Sequence, residues 1–239
     1  MKPIALILIL SLTKIITAQT ITPQEILNKA IAFHDPNNNW LSFSGNFKVV
    51  MTTPNQSPRT SDIHIHIPAE YFKITATRDT VTTQYILDKE TCEMQYNSKV
   101  LSESEAKSKN MSCDRGNFMK NYYTYLYGLP MKLKDPGTHI DRNVKQKHFK
   151  GKDYLVLKAS YDKTVGTDVW YFYFNPETYA MEIYQFFRTD DNGLEKSDTG
   201  EYIILKDLET INGIKMPKVR AWYYNKNDVY LGTDTLVGS

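Results

Sequence analysis

The chain has 239 residues, 29 of them Lys or Arg and 27 Asp or Glu, for a formal net charge of +2. The first 18 residues carry two lysines and no acid, so the remainder balances at 27 of each sign, which argues against a nucleic-acid partner, since that calls for a strongly basic face. Past that leader, about 220 residues are enough for one large β domain or two small ones.

Residues 1–18 read as a secretory signal peptide: Lys2 supplies the positive start, Ile4 to Leu12 a short apolar run, and Ala18 a small residue at the cleavage point. The run is too short to cross a bilayer, and no Cys follows it to carry a lipid anchor. The expectation is an exported, periplasmic protein whose residues 19–239 form a single domain.

Thr22-Pro23-Gln24-Glu25 has the pattern of a capping box with Pro in the first turn. A short amphipathic helix should follow through Ile26, Ala30, Ile31 and Phe33, ending near His34, a C-terminal position where the helix dipole favours an imidazolium. Asp35-Pro36-Asn37-Asn38-Asn39 breaks it. Strands are expected over Trp40–Thr52, Thr60–Ile67, Tyr71–Arg78, Thr80–Asp88 and Thr91–Tyr96, with connections so short that neighbours must be antiparallel.

Ser102 with Glu105 offers a second capping box. From Cys113 to Tyr127, Phe118, Tyr122, Tyr125 and Leu126 recur at helical spacing, with Met119 and Tyr123 widening the apolar face. So aromatic a helix should be buried over most of its surface, against the concave side of a sheet, and Gly128-Leu129-Pro130 ends it. Cys92 on a strand and Cys113 at this helix start are the two cysteines. In an oxidising compartment the expectation is a bridge between them, worth about 3 kcal/mol; the alternative is two separate thiols.

Strands resume at Val144–Phe149, which should pair with Tyr154–Tyr161 across Lys150-Gly151. Then comes the most aromatic stretch, Thr167 to Arg188. Trp170, Phe172 and Phe174 point one way in an extended chain, Val169, Tyr171 and Tyr173 the other. Asn175-Pro176-Glu177-Thr178 reads as a turn, with Tyr179 to Phe187 running back. A hairpin aromatic on both faces needs a covering layer, a partner or a ring-lined cavity. Asp190-Asp191-Asn192-Gly193 turns into Gly200–Leu208, Asn212-Gly213 marks a tight hairpin, and Ile214–Tyr224 and Val229–Leu236 complete the chain.

NYYTYLYGLPMKLKDPGT (Asn121 to Thr138), VWYFYFNPETYAMEIYQFF (Val169 to Phe187), GEYIILKDLETINGIKMPKVRAWYYN (Gly200 to Asn225), LGTDTL (Leu231 to Leu236) and HDPNNNW (His34 to Trp40) resemble an uncharacterised family of exported Bacteroidota proteins, itself similar to the lipoprotein-carrier-like (LolA/LppX-type) superfamily. The strand pattern along the chain gives about ten or eleven strands, and the resemblance implies a mainly β fold with α elements: an open, curved antiparallel half-barrel, helices in its concave face, and an apolar cavity between them.

Three groups of residues are candidate sites. In the first, Phe118, Met119, Tyr122, Tyr123 and Leu126 of the helix would face Trp170, Phe172, Phe174, Tyr184 and Phe186 of the hairpin around an apolar ligand or lipid; the plainer reading is that they fill the core. In the second, Asp62, His64 and His66 share one face of a strand, where two His could hold a metal; the plainer reading is a wet amphipathic strand, and no metal is assigned. In the third, Arg142, Lys145, Lys147, Lys150 and Lys152 could meet anionic head groups or an acidic partner, or be a solvated hairpin edge. The sequence carries neither a Gly-x-Ser-x-Gly elbow nor a His-Glu-x-x-His motif, and no catalytic residue or cofactor is assigned. The expectation is a non-enzymatic periplasmic protein that holds a lipid or other apolar ligand in the half-barrel cavity for transfer or sensing, a role open to peripheral membrane contact; the alternatives are an envelope module with a protein partner and a metal-dependent hydrolase.

Overall fold

The computed structural model describes residues 21–238; the leader expected over residues 1–18 lies outside the described residues. Helix α1 (Pro23–His34) starts as the sequence dictates, with Thr22 accepting from the Glu25 amide and the Glu25 carboxylate accepting from the Thr22 amide. The strand expected from Trp40 does not begin there. The Asp35 carboxylate accepts the amides of Asn39 at 2.8 Å and Trp40 at 2.9 Å, which coils Trp40–Ser42 into a 3-10 turn and delays the sheet to Ser44.

A six-strand meander follows: β1 (Ser44–Thr53), β2 (Gln56–His66), β3 (Tyr71–Arg78), β4 (Val81–Asp88), β5 (Thr91–Tyr96) and β6 (Lys99–Val100). The chain then leaves the sheet. Helix α2 (Glu103–Ser108) carries its capping box between Ser102 and Glu105. Helix α3 (Cys113–Gly128) and a 3-10 turn at Met131–Lys134 lead on to β7 (Thr138–Ile140), which lies at the opposite edge of the sheet. The rest is β8 (Lys145–Phe149), β9 (Lys152–Tyr161), β10 (Val169–Phe174), β11 (Met181–Phe187), β12 (Glu201–Ile211), β13 (Ile214–Tyr224) and β14 (Tyr230–Val237).

These strands make one open antiparallel sheet in the order β6-β5-β4-β3-β2-β1-β14-β13-β12-β11-β10-β9-β7, with β8 paired to β9 off that path. The last strand therefore lies beside the first, Val49 opposite Leu236. The sheet has fourteen strands, against the ten or eleven expected. Two of them, β6 with two residues and β7 with three, are too short to show a period-2 pattern. Edges this short also offer little backbone for another chain to pair with.

The concave face carries the main core, where Phe47, Ile63, Phe72, Leu157, Phe172, Phe174 and Ile203 are at most 2 % exposed. Each such side chain contributes about 1.5–3 kcal/mol relative to exposure. The convex face of the aromatic hairpin is covered by the chain itself. Phe149, at the end of β8, lies 5.4 Å from the Tyr173 ring and 5.3 Å from the Tyr202 ring, so its side chain reaches from the edge hairpin over the convex side of β10 toward β12. Tyr154 and Val156 of β9, Tyr173 of β10 and Ile183 of β11 form a second buried cluster, with Phe149 and Tyr171 packed against it. The turn at the other end is longer than expected: Asn175 accepts the amides of Glu177 and Thr178, and β11 resumes at Met181 after a bulge between Tyr173 and Phe174.

Candidate ligand site on the concave face

Helix α3 is fixed across the concave face at both ends. Ser112 caps it by accepting the Arg115 amide at 3.2 Å, and the Cys92–Cys113 disulfide ties its first residue to β5, with a Cα–Cα distance of 5.9 Å. Gly116 permits close approach to the sheet, since a Cβ there would lie 3.0 Å from the Tyr85 ring. At the far end a Cβ on Gly128 would sit 2.2 Å from Trp40, so the helix end is seated on α1's following turn only because that residue has no side chain. Burial is confined to Gly116 and to the second half of the helix, through Tyr123, Leu126, Tyr127 and Gly128, less than the aromatic content led us to expect.

The ten residues expected around a ligand divide into three groups. Tyr123, Leu126, Phe172, Phe174 and Tyr184 are at most 4 % exposed and pack into the layer between helix and sheet. Met119, Tyr122, Trp170 and Phe186 lie half-buried along its margin. Phe118 does not face the hairpin: it is 54 % exposed, with the Arg115 guanidinium 5.0 Å from its ring. Trp170 is the hub of the margin, 4.9 Å from Phe186, 6.0 Å from Tyr184 and 5.6 Å from Tyr125, ring to ring.

Beside Trp170 a groove of about 540 Å³ opens between α3, the Met131–Lys134 turn, β7 and the loop that enters β10. Its floor is Tyr125, Tyr161 and Trp170, the two phenols hydrogen-bonded to each other. Burial pushes the Tyr125 hydroxyl well above its ordinary range and the Tyr161 hydroxyl to about 12, so both stay neutral. The rim is polar: Lys132 is ion-paired with Asp135, and burial raises the Asp168 carboxyl against the pull of Arg188. Only Trp170 of the ten expected residues lines this groove. Tyr161 was missed because it ends an ordinary amphipathic strand, and Tyr125 because its neighbours claimed the buried face of α3.

A second feature lies deeper. Arg220 of β13 is directly opposite Asp234 of β14, Asp234 opposite Met51, and Met51 opposite Arg59 of β2. Directly opposed residues share a face, so one row across the concave side carries two guanidiniums and one carboxylate. Arg220 is 0 % exposed and Asp234 6 % exposed. Arg220 lies 3.8 Å over the Tyr127 ring and donates from Nη1 to the Pro217 carbonyl at 2.8 Å. Its Nε and Nη2 have no partner, nor do the hydroxyls of Tyr127 and Tyr184. Burial raises the Asp234 carboxyl, opposed by Arg220 and then Arg59.

The remaining candidates have other work. Asp62 pairs with Lys48 at 3.4 Å, and the His64 ring sits edge-on to Tyr71 at 5.2 Å. They line a second depression of about 550 Å³ with Lys48 and Lys73. Among the described residues no group of three His, Cys, Asp or Glu is placed to hold a metal. In the basic cluster, Lys147 donates to the Tyr173 hydroxyl at 2.8 Å, Lys150 pairs with Asp228 over the Tyr202 ring, and Lys152 pairs with Glu182. These lysines roof the convex aromatic cluster, while Arg142 and Lys145 remain exposed. His34 is not the dipole-favoured imidazolium expected: it is 0 % exposed, and desolvation lowers it to about 4, so it is neutral. No described helix is long and apolar enough to cross a membrane.

A family model described as a family of unknown function, DUF6503, matches residues 2–239. No curated protein matches the chain. Among solved structures, a DUF1329 family protein from Desulfovibrio piger is similar at 10% identity and a TM-score of 0.50, over 90% of each chain. A LolA superfamily protein from Nitrosomonas europaea is similar at 12% identity and a TM-score of 0.49, over 91% of this chain and 92% of the other. The open curved sheet with helices in its concave side, implied by the sequence resemblance, is the architecture observed.

Proposed function

The chain belongs to the DUF6503 family, and from that premise we propose that it is a non-enzymatic binding protein of the periplasm that holds a lipid or other apolar ligand on the concave face of its half-barrel. The observation that carries this reading is the groove of about 540 Å³ floored by Tyr125, Tyr161 and Trp170. Its size falls in the range of small-molecule sites, and an aromatic floor with a few polar groups at the rim is their usual lining. Its base continues through Trp170 into the Tyr184 and Phe186 layer, so a chain laid there leaves water on most sides. A ten-carbon stretch buried in this way contributes about 8 kcal/mol before the costs of binding.

The test is mass spectrometry of an organic extract of protein purified from a bacterial periplasm without detergent. A stoichiometric apolar compound is expected, and it should be lost from Val165→Trp. Val165 lines the groove and is 57 % exposed, so the new indole fills the groove without disturbing the core. An extract as empty as that of an unrelated periplasmic protein, with no binding of added lipid, overturns the proposal. One observation favours a second reading, an envelope module with a protein partner: the exposed Phe118 ring beside Arg115. In that case Phe118→Ser abolishes co-purification of a partner while Val165→Trp leaves it intact.

A further inference from the structure

We infer that the buried row beneath α3 is a receptor for the acidic end of an amphipathic ligand, with Arg220 binding a carboxylate or phosphate oxyanion and Tyr184 donating to it. This inference rests on the apolar-ligand reading and names the class of ligand.

Three observations converge on it. First, the row is short of negative charge: Arg220 and Arg59 have only Asp234 between them. Second, its donors are unspent. Arg220 is wholly buried and uses one of its donors on Pro217, leaving Nε and Nη2 free, and Arg59 donates from Nη2 to Tyr123 at 3.3 Å while its Nε is free. The hydroxyls of Tyr127 and Tyr184 are buried without a hydrogen-bond partner, and both are near enough to Arg220 to feel its charge. A guanidinium in a dry interior with one hydrogen bond is costly to keep, and a cluster of such donors calls for an acceptor. Third, the cluster adjoins the groove. Tyr125 touches Trp170, and Trp170 touches Tyr184 at 6.0 Å between ring centroids. The unpartnered Tyr184 hydroxyl and Arg220 thus lie one ring beyond the groove floor.

The chemistry follows from the donor set. Guanidinium N–H groups and phenolic O–H groups suit a planar carboxylate or a phosphate oxygen. Burial holds the Tyr127 and Tyr184 hydroxyls protonated, so they donate and do not compete as anions. A neutral apolar ligand would leave all of these donors unmet.

The experiment is calorimetric titration of the full protein, after extraction of bound apolar material, with dodecanoate, dodecyl phosphate, dodecanol and inorganic phosphate. The wild type should bind at least one of the two anionic chains about ten-fold or more tighter than dodecanol and should not bind inorganic phosphate at comparable concentration. Arg220→Met should bring acid and alcohol within about two-fold of each other. Thermal melting of the empty Arg220→Met protein should be unchanged or higher, since a buried unmet charge has been removed. Tyr184→Phe deletes one hydroxyl from an otherwise intact ring, and should cut acid binding several-fold without touching dodecanol. If Arg220→Met does not fold, the Tyr184→Phe comparison decides. Equal binding of acid and alcohol by the wild type overturns the inference and leaves the apolar-ligand reading standing, with buried water then serving the donors. Inorganic phosphate binding as tightly as dodecyl phosphate overturns it in favour of a free-ion site. Binding of none of the four probes removes both readings together.

Discussion

His34 and Lys215, 181 residues apart, are joined by a hydrogen bond in which the His34 Nδ1–H donates to the Lys215 carbonyl at 2.7 Å. The other ring nitrogen, Nε2, accepts the Met181 amide at 3.0 Å. One side chain from α1 thus satisfies backbone groups on both β11 and β13, and that pair of partners fixes the neutral tautomer.

This geometry predicts a loss of stability in mild acid. The folded imidazole titrates near 4 against 6.5 for the free group, through desolvation first and the positive charges of Lys215 and Arg220 after it. The unfolded chain therefore takes up a proton more readily. The contribution is whole above about pH 6.5, falls as pH drops from there toward 4, and amounts to about 3 kcal/mol at its limit. Urea denaturation between pH 7 and 4 should show that decline, and His34→Gln should flatten it. An equally steep decline in His34→Gln would assign the effect elsewhere.

Reduction of the Cys92–Cys113 bridge, which spans 21 residues, should lower stability by about 3 kcal/mol. The Cys92→Ser, Cys113→Ser double variant should match the reduced wild type in its urea midpoint. A double variant as stable as the oxidised protein would mean that α3 holds its place by packing alone.

Packing and ligand binding should separate by position along the hairpin. Phe172→Ala, at 0 % exposure, should cost about 3–5 kcal/mol. Tyr125→Ala, on the groove floor, should reduce binding of an apolar ligand by about ten-fold through lost contact area. The pattern fails if Phe172→Ala is tolerated within about 1 kcal/mol, since an empty space would then already lie behind it.

On the convex side, Phe149→Ala should uncover the rings of Tyr173 and Tyr202. We expect a loss of about 2 kcal/mol together with a higher-affinity fluorescent response to a hydrophobic dye. Unaltered dye binding would show that the lysines alone shield the cluster.

Much of the fold was legible in residue order. The capping boxes at Thr22 and Ser102, the Asn212-Gly213 hairpin and the antiparallel meander all rest on local chemistry that neighbouring residues express directly. Local chemistry also misled at Trp40, where the Asp35 carboxylate, not strand propensity, directs the chain. The site was less legible because it depends on register between distant strands. Arg220 stands in phase with the inward-facing Met216 and Trp222, a charge where an apolar residue belongs. The signal is blurred by Lys218 in the same phase and by Val219 beside it, which offers the opposite alternation. Only the alignment of β13, β14, β1 and β2 puts Arg220, Asp234 and Arg59 in one row. The aromatic hairpin was read as a single apolar wall, whereas Phe172 and Phe174 close the core and Trp170 alone reaches the groove.

The pairing of β1 with β14 has a consequence for how the molecule is made. The two edges of the sheet, β6 and β7, come from the segment between the two meanders, and its central seam joins the first strand to the last described one. Until Tyr230–Val237 has emerged, the finished first meander presents all of β1 as a raw, ten-residue margin, the kind of margin that recruits other chains. That margin stays open until β14 is in place, and removing β14 would leave two half-sheets, each with an open side.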